Sequence, residues 1–428
     1  MSVSVVILAA GLGTRMKSNK AKVLQQLCGK SMILHIIKQA YELSDDVCVV
    51  LSHQKELVEA EISKSFPNTR FLEQDLQKYP GTAGALRTYT PKFDKVITLC
   101  GDMPLVKARS IKPLLESKLA VAVFKSQNPQ NYGRVVIKDN QIHKIVEFKD
   151  ANEQEKSIDI CNSGVYAFES KVLTTLLPKI DNNNAAKEYY LTDLIKLAYE
   201  KGEKITPVFV DEAEFMGVND KFELAKAENL MQDELKATLM KQGVIFHNPQ
   251  SSFISPDAVF EGECELFENV RIEGKSVIKN SLIKSSCVIE ESLIENSDIG
   301  PLAHIRPKCQ IKHSHIGNFV ECKNAILQGV KAGHLSYLGD CEIDEGTNIG
   351  CGCITCNYDG ITKHRTKIGK NVFIGSDTQL IAPVSIEDEV IIAAGSSVSG
   401  SVPKGALFIN RAEKKIIKDY FYQKFGAK

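Results

Sequence analysis

The stretch "IGKNVFIGSDTQLIAPVSIEDEVIIAAGSSV", residues 368–398, decides the fold of the second half of the chain. Ile368, Ile374, Leu380, Ile386, Ile392 and Val398 recur every six residues. Val372, Val384 and Val390 add a second apolar position four residues into several hexads. An α-helix repeats near 3.6 residues and a strand at 2, so neither produces this period. A hexapeptide parallel β-helix does, because each flat side of a triangular coil takes six residues. One coil cannot bury its apolar positions alone, so stacking is obligatory.

The same step appears upstream in Leu282, Val288 and Ile294, in Ile299, Ile305 and Ile311, and in Ile343 and Ile349. It lapses over "TCNYDGITKHRTK", residues 355–367, which predicts a loop expelled from the coil. Insertions in solenoids commonly build binding sites. Before the repeats stands "DKFELAKAENLMQDELKATLMKQ", residues 220–242, with Phe222, Leu224, Leu230, Met231, Leu235 and Leu239 largely at three- and four-residue steps. Asp220 suits the cap and Gly243 the stop, so this predicts one long linking helix.

Residues before about 220 alternate between β-rich runs and helical stretches. Val47–Leu51, Lys95–Leu99, Leu119–Phe124 and Ile205–Val210 read as strands, and Met32–Leu43 and Ala83–Tyr89 as helices. That alternation predicts a doubly wound α/β domain with ligands at the carboxyl ends of its strands. The expected boundaries are 1–221 for this domain, 222–242 for the linker helix and 243–428 for the hexapeptide-repeat domain.

The 428 residues carry 53 Lys plus Arg and 53 Asp plus Glu, a balance that argues against nucleic acid as the main partner. No apolar run approaches the roughly 20 residues that span a bilayer. The N-terminus lacks a positive residue ahead of its apolar run, so no signal peptide is expected. The 12 cysteines show no secreted pattern, and a cytoplasmic protein with reduced thiols is expected. Cys351, Cys353 and Cys356 form "CGCITC", but one CxxC with no second pair is a poor zinc site.

Near the N-terminus "LAAGLGTRM", residues 8–16, follows an apolar strand. A Walker loop needs Gly-Lys-Ser/Thr, which is missing, and a dinucleotide fingerprint needs a small residue where Met16 stands. What remains is a turn whose amides face a nucleotide phosphate, flanked by the cations Arg15, Lys17 and Lys22. Asp102 in "CGDMPL" follows a strand, where a metal-holding carboxylate belongs in an open α/β sheet. Mg²⁺ is satisfied by few protein oxygens plus phosphate.

Together with "PGTAGAL" at Pro80, "NYGRVV" at Asn131, "IVEFKDA" at Ile145, "CNSGVYAF" at Cys161, "NNNAAKEYYLTD" at Asn182 and "MGVND" at Met216, these motifs resemble sugar-nucleotide pyrophosphorylases. With the repeats, nearly the whole chain resembles the bacterial bifunctional N-acetylglucosamine-1-phosphate uridylyltransferase/glucosamine-1-phosphate N-acetyltransferase family. The resemblance implies a nucleotidyltransferase domain followed by a left-handed parallel β-helix, although parallel crossovers are otherwise right-handed.

In the first domain it implies Leu8, Ala9, Ala10 and Gly11 at the nucleotide, with Arg15 and Lys22 catalytic. It places Gln74 (with Gln77 as a competitor), Gly81 and Thr82 at the uracil, and Gly133, Glu147 and Asn162 at the N-acetylated sugar. Asp102 and Asn219 become the Mg²⁺ ligands, Asn219 also touching substrate. The sugar phosphate is ionised at neutral pH, so alignment and charge neutralisation suffice without a base.

In the second domain the family's sugar-phosphate site falls on Arg306, Lys323, Tyr337 and Asn348, with His334 as general base, since imidazole titrates near working pH. Cys351, Asn357, Tyr358, Ser376, Ala394 and Arg411 fall at acetyl-CoA, Cys351 standing where the family usually has Ala. The implied substrates are UTP, glucosamine-1-phosphate, N-acetylglucosamine-1-phosphate and acetyl-CoA, and the implied assembly a homotrimer. The alternative is a single-activity sugar-1-phosphate nucleotidyltransferase whose β-helix serves assembly only. A third is a non-enzymatic scaffold.

Overall fold

The computed structural model describes residues 2–129 and 131–426. The chain forms two compact units, 1–231 and 232–428.

The first unit is built on nine strands: β1 (Val3–Leu8), β2 (Asp46–Leu51), β3 (Arg70–Glu73), β4 (Lys95–Cys100), β5 (Leu119–Lys125), β6 (Arg134–Lys138), β7 (Gln141–Val146), β8 (Ile160–Glu169) and β9 (Thr206–Phe209). They lie in the order β9-β5-β8-β4-β1-β2-β3, with the antiparallel β6–β7 pair attached through β8. β4, β1, β2 and β3 run parallel, and β8 is antiparallel to both β4 and β5. β1 and β2 are buried almost throughout, as a sheet covered on both faces requires. The helix Met32–Tyr41 packs Ile33, Ile36, Ile37 and Ala40 against one face. The expected helix at Ala83–Tyr89 is shorter, Thr82–Ala85. Beyond it the chain closes i→i+3 turns, Arg87 N–H to Gly84 O and Tyr89 N–H to Leu86 O, which do not propagate an α-helix.

A helix does span Lys221–Lys241, and the boundary between units falls inside it, at Met231/Gln232. Asp220 caps its start by accepting the Glu223 N–H at 2.8 Å.

The second unit is a parallel β-helix. Its short strands form one sheet of 10 strands and one of 16. The larger sheet comprises two flat sides joined where Gln379–Ile386 runs through a corner, so the coil has three sides. Each side contributes one inward column. Leu266, Ile283, Ile299, Ile316, Ala332, Ile349, Ile374 and Ile392 stack in register on one side. Ile278, Ile294, Ile311, Leu327, Ile343, Ile368 and Ile386 stack on another. All of these are buried. Ile283 and Ile289, not Leu282 and Val288, fill their columns: the sequence period was one residue out of phase there, because each pair is apolar at both positions.

Candidate functional sites

The first site is a cleft of about 570 Å³ at the carboxyl ends of β1 and β4. Leu8, Ala9, Ala10, Gly11, Arg15, Lys22, Gln74, Gly81, Thr82, Asp102 and Asn219 all line it. Gly13 has φ 62°, and a Cβ there would stand 2.6 Å from the Cβ of Lys22, so any side chain would displace that lysine. Gly81 has φ 93°, and a Cβ would meet Tyr189 O at 2.6 Å. Gln74 is buried, and its Nε2 donates to Tyr79 O and Gly81 O, both at 2.9 Å. Gln74 therefore shapes the Gly81 turn from inside the cleft, whereas Gln77 is exposed and absent from the lining.

On the floor, Lys22 Nζ forms an ion pair with Asp102 and donates to Asn219 Oδ1 at 3.1 Å. Asp102 lies just beyond β4, and its backbone oxygen accepts the Val218 N–H at 2.8 Å. Two parts of the chain separated by more than a hundred residues thus bring one carboxylate and one amide oxygen onto a single cation. That donor set is hard and oxygen-only, and it suits Mg²⁺.

Gly133, Glu147 and Asn162 form a second cluster in this unit. A Cβ on Gly133 would lie 3.5 Å from Glu147 Oε2 and 3.6 Å from Asn162 Cβ. Asn162 sits where the register of β8 against β5 shifts. Such a bulge re-aims side chains beside a site. Its Nδ2 donates to Tyr166 Oη at 2.7 Å and its Oδ1 accepts the Gly164 N–H at 3.1 Å. Glu147 accepts from Thr192 Oγ1 at 3.2 Å, and burial holds its carboxyl above the usual range.

In the β-helix unit, Ala332 pairs with Ile349, Ile349 with Ile374 and Ile374 with Ile392. Continuing that register by two residues aligns His334, Cys351, Ser376 and Ala394 at one corner of successive coils. Ser336 Oγ, which donates to His334 O and to Gly350 O, ties the first two coils together. Backbone bonds from Asp377 N–H to Cys351 O and from Gly395 N–H to Ser376 O continue the column. Arg411 joins it by donating from Nε to Ala394 O at 2.9 Å. Asn348 lies on the adjoining side, between Lys331 and Phe373.

The neighbouring side carries the cations. Arg306 donates to Glu321 at 2.9 Å, and Tyr337 stacks directly on Glu321. The ammonium of Lys323 is held below its ordinary range, first by Lys363 beside it and then by Arg306. Three cations crowded this way suit an anion. Lys363 belongs to the expelled loop between the strands Ile354–Cys356 and Thr366–Ile368. Asp359 organises this loop, accepting backbone N–H bonds from Ile361 and Thr362 at 2.8 and 2.7 Å. Asn357 is buried at its root, its Nδ2 bonded to Asp340, while Tyr358 is exposed.

Motif reading missed Lys363, Asp340, Thr192 and Glu223. Lys363 had a signal, a basic residue inside a predicted insertion; the other three act through neighbours and leave none. His315 Nδ1, half-exposed, meets Asp298 at 2.7 Å. Cys353 is buried against Gly375 O, and among the described residues no group of three or more His, Cys, Asp or Glu could hold a metal. No helix of the described residues is long and apolar enough to cross a membrane.

The family model for a MobA-like NTP transferase domain matches residues 5–158, and that for the bacterial transferase hexapeptide (six repeats) matches 365–400. The chain is 69% identical over 427 residues to "Bifunctional protein GlmU" of Campylobacter lari, covering 99% of this chain and 100% of that one. It is 70% identical, with the same coverage, to the protein of that name from Campylobacter jejuni serotype O:6. It is 57% identical to that of Campylobacter curvus, over 99% of this chain and 98% of the relative.

Proposed function

The chain belongs to the family of bifunctional GlmU proteins, enzymes with a uridylyltransferase and an acetyltransferase activity, and from that premise we propose how its residues divide the work. The β-helix unit acetylates glucosamine-1-phosphate with acetyl-CoA. The α/β unit then couples N-acetylglucosamine-1-phosphate to UTP, giving UDP-N-acetylglucosamine and pyrophosphate. The observation that supports the reading is that each unit has its own cluster of polar and charged side chains, Lys22 with Asp102 and Asn219 in one, and Arg306, Lys323 and Lys363 in the other.

In the α/β unit the loop Leu8–Gly11 and the Gln74–Thr82 turn bind the nucleotide, and Gly133, Glu147 and Asn162 bind the acetylated sugar. Arg15 and Lys22 neutralise the triphosphate as the sugar phosphate attacks the α-phosphorus in line. Asp102 and Asn219 would hold Mg²⁺, which neutralises further phosphate charge when bound. No residue need abstract a proton, because the nucleophile is already an anion.

In the β-helix unit Arg306, Lys323 and Lys363 grip the sugar phosphate. His334 takes a proton from the sugar ammonium, and the freed amine attacks the thioester carbonyl. Collapse of the tetrahedral intermediate expels the thiolate of coenzyme A, which takes up the second proton shed by the nitrogen and leaves as the thiol. Cys351, Asn357, Tyr358, Ser376, Ala394 and Arg411 form the acetyl-CoA track, Arg411 meeting a phosphate of the nucleotide end.

A homotrimer fits the outer surface. Phe373, Ile391 and Leu407 stack in register, 52%, 50% and 62% exposed, an apolar ladder that side-by-side coils would bury. The deciding assay is thiol release from acetyl-CoA on adding glucosamine-1-phosphate with no UTP present, beside UDP-N-acetylglucosamine formation from N-acetylglucosamine-1-phosphate and UTP. Pyrophosphorylase activity without thiol release would assign the β-helix to assembly alone.

A further inference from the structure

We infer that Glu223, in the first turn of the helix Lys221–Lys241, is a positioning residue that fixes Asn219 for the metal. The inference rests on the reading of Asn219 as a Mg²⁺ ligand. Glu223 Oε2 accepts the backbone N–H of Asn219 at 2.6 Å. Across the same turn, the Val218 N–H is held by Asp102 O at 2.8 Å. The turn Gly217–Asn219 is therefore pinned on one side by the residue carrying the metal carboxylate and on the other by Glu223. Within the turn itself only a long 3.4 Å bond, from Asn219 Nδ2 to Gly217 O, restrains the side-chain amide.

Helix capping does not account for this contact. The cap is Asp220, whose Oδ1 accepts the Glu223 N–H and whose backbone oxygen accepts the Leu224 N–H. In a capping box the N3 carboxylate returns to the backbone of the capping residue itself. Glu223 instead reaches one residue further, to Asn219, outside the helix. What the contact requires is an acceptor at that point and not a charge, so glutamine can replace it while alanine cannot.

The experiment is a Mn²⁺ titration of the full-length protein with α,β-methylene-UTP present, read by the electron paramagnetic resonance of free Mn²⁺. Glu223→Ala should weaken Mn²⁺ binding about tenfold, since a partly buried N–H loses its acceptor and the amide loses its register. Glu223→Gln should stay within about twofold of wild type, and so should Asp220→Ala, which removes only the cap. Turnover should split the same way: the Mg²⁺ needed for half-maximal uridylyl transfer rises in Glu223→Ala, while kcat at saturating Mg²⁺ stays near wild type. Unchanged Mn²⁺ affinity in Glu223→Ala, with Asn219→Ala still weakened, overturns the inference and leaves the metal assignment standing. An equal loss in Asp220→Ala reduces Glu223 to a helix-end residue and also overturns it. Undiminished binding in Asn219→Ala removes the metal assignment and the inference together.

Discussion

Lys22 and Asp102 form an ion pair on the floor of the cleft at the ends of β1 and β4, and the same ammonium is 3.1 Å from Asn219 Oδ1. A lysine thus draws on both oxygens assigned to the metal. Lys22→Met should cut uridylyl transfer by about 10²-fold or more, as for other losses of a preorganised charge partner. It should also tighten Mn²⁺ binding in the absence of nucleotide, because a competing cation is gone. Weaker Mn²⁺ binding in Lys22→Met would show that the lysine builds the site instead of competing for it.

Asp102→Ala and His334→Ala should be mirror images. The first should abolish uridylyl transfer and leave acetyl transfer near wild type, since a carboxylate in one unit has no part in the other's chemistry. The second should lower acetyl transfer by roughly 10² to 10⁴ and spare pyrophosphorylase turnover. Both assays on each purified variant decide it. Less than about a tenfold fall in His334→Ala would remove that residue from the general-base role.

Lys363→Ala should raise the KM for glucosamine-1-phosphate about tenfold or more, the scale of one charge-assisted phosphate contact. It should also relieve Lys323, whose ammonium Lys363 holds below the ordinary lysine range. The Lys323 titration, followed by NMR of ¹⁵N-labelled lysine, should move upward in the variant. An unmoved titration would separate the two ammonium groups.

Glu147 makes the α/β unit sensitive to pH in a defined direction. Burial raises its folded pKa above the unfolded value. Its contribution to stability is then present below the unfolded pKa and lost as pH rises through the folded one. Glu147→Gln cannot ionise, so it should melt above wild type at about pH 8 and converge with it at about pH 4. Equal melting temperatures at both pH values would mean that the carboxylate is compensated when charged.

Cys351 is the exposed thiol among 12 cysteines, the others being buried or half-buried. A thiol reagent should label it first and acetyl-CoA should protect it, because it shares a corner column with His334 and Ser376. Cys351→Ala should stay active and resist the reagent. Mass spectrometry showing Cys351 unmodified in an inactivated sample would direct attention to another cysteine.

The β-helix was legible because a six-residue period belongs to few architectures, and Ile368 to Val398 keep it without interruption. Its phase was harder to read: at Leu282-Ile283 and Val288-Ile289 both neighbours are apolar, and only the packed coil selects one. The lining of the cleft was legible at its first loop, where Gly11, Arg15 and Lys22 stand close together in sequence. Glu223 and Asp340 were invisible for the opposite reason. Each serves another residue through one hydrogen bond, and nothing in an isolated glutamate or aspartate announces what it will hold. Lys363 fell between the two, in an insertion that the broken period located without saying which of its side chains comes beside Lys323.

Within one chain, each inner coil of the β-helix pairs its strands with those of the coils before and after it, so order is passed along the stack as in a row of dominoes. His334 lies within the row, with coils on either side, whereas Arg411 follows the last paired strand, Leu407–Phe408. Fraying on warming should therefore begin where Arg411 stands, and in the roles proposed for them Arg411 should lose the coenzyme while His334 is still in place. Heat would blunt affinity before it blunts chemistry.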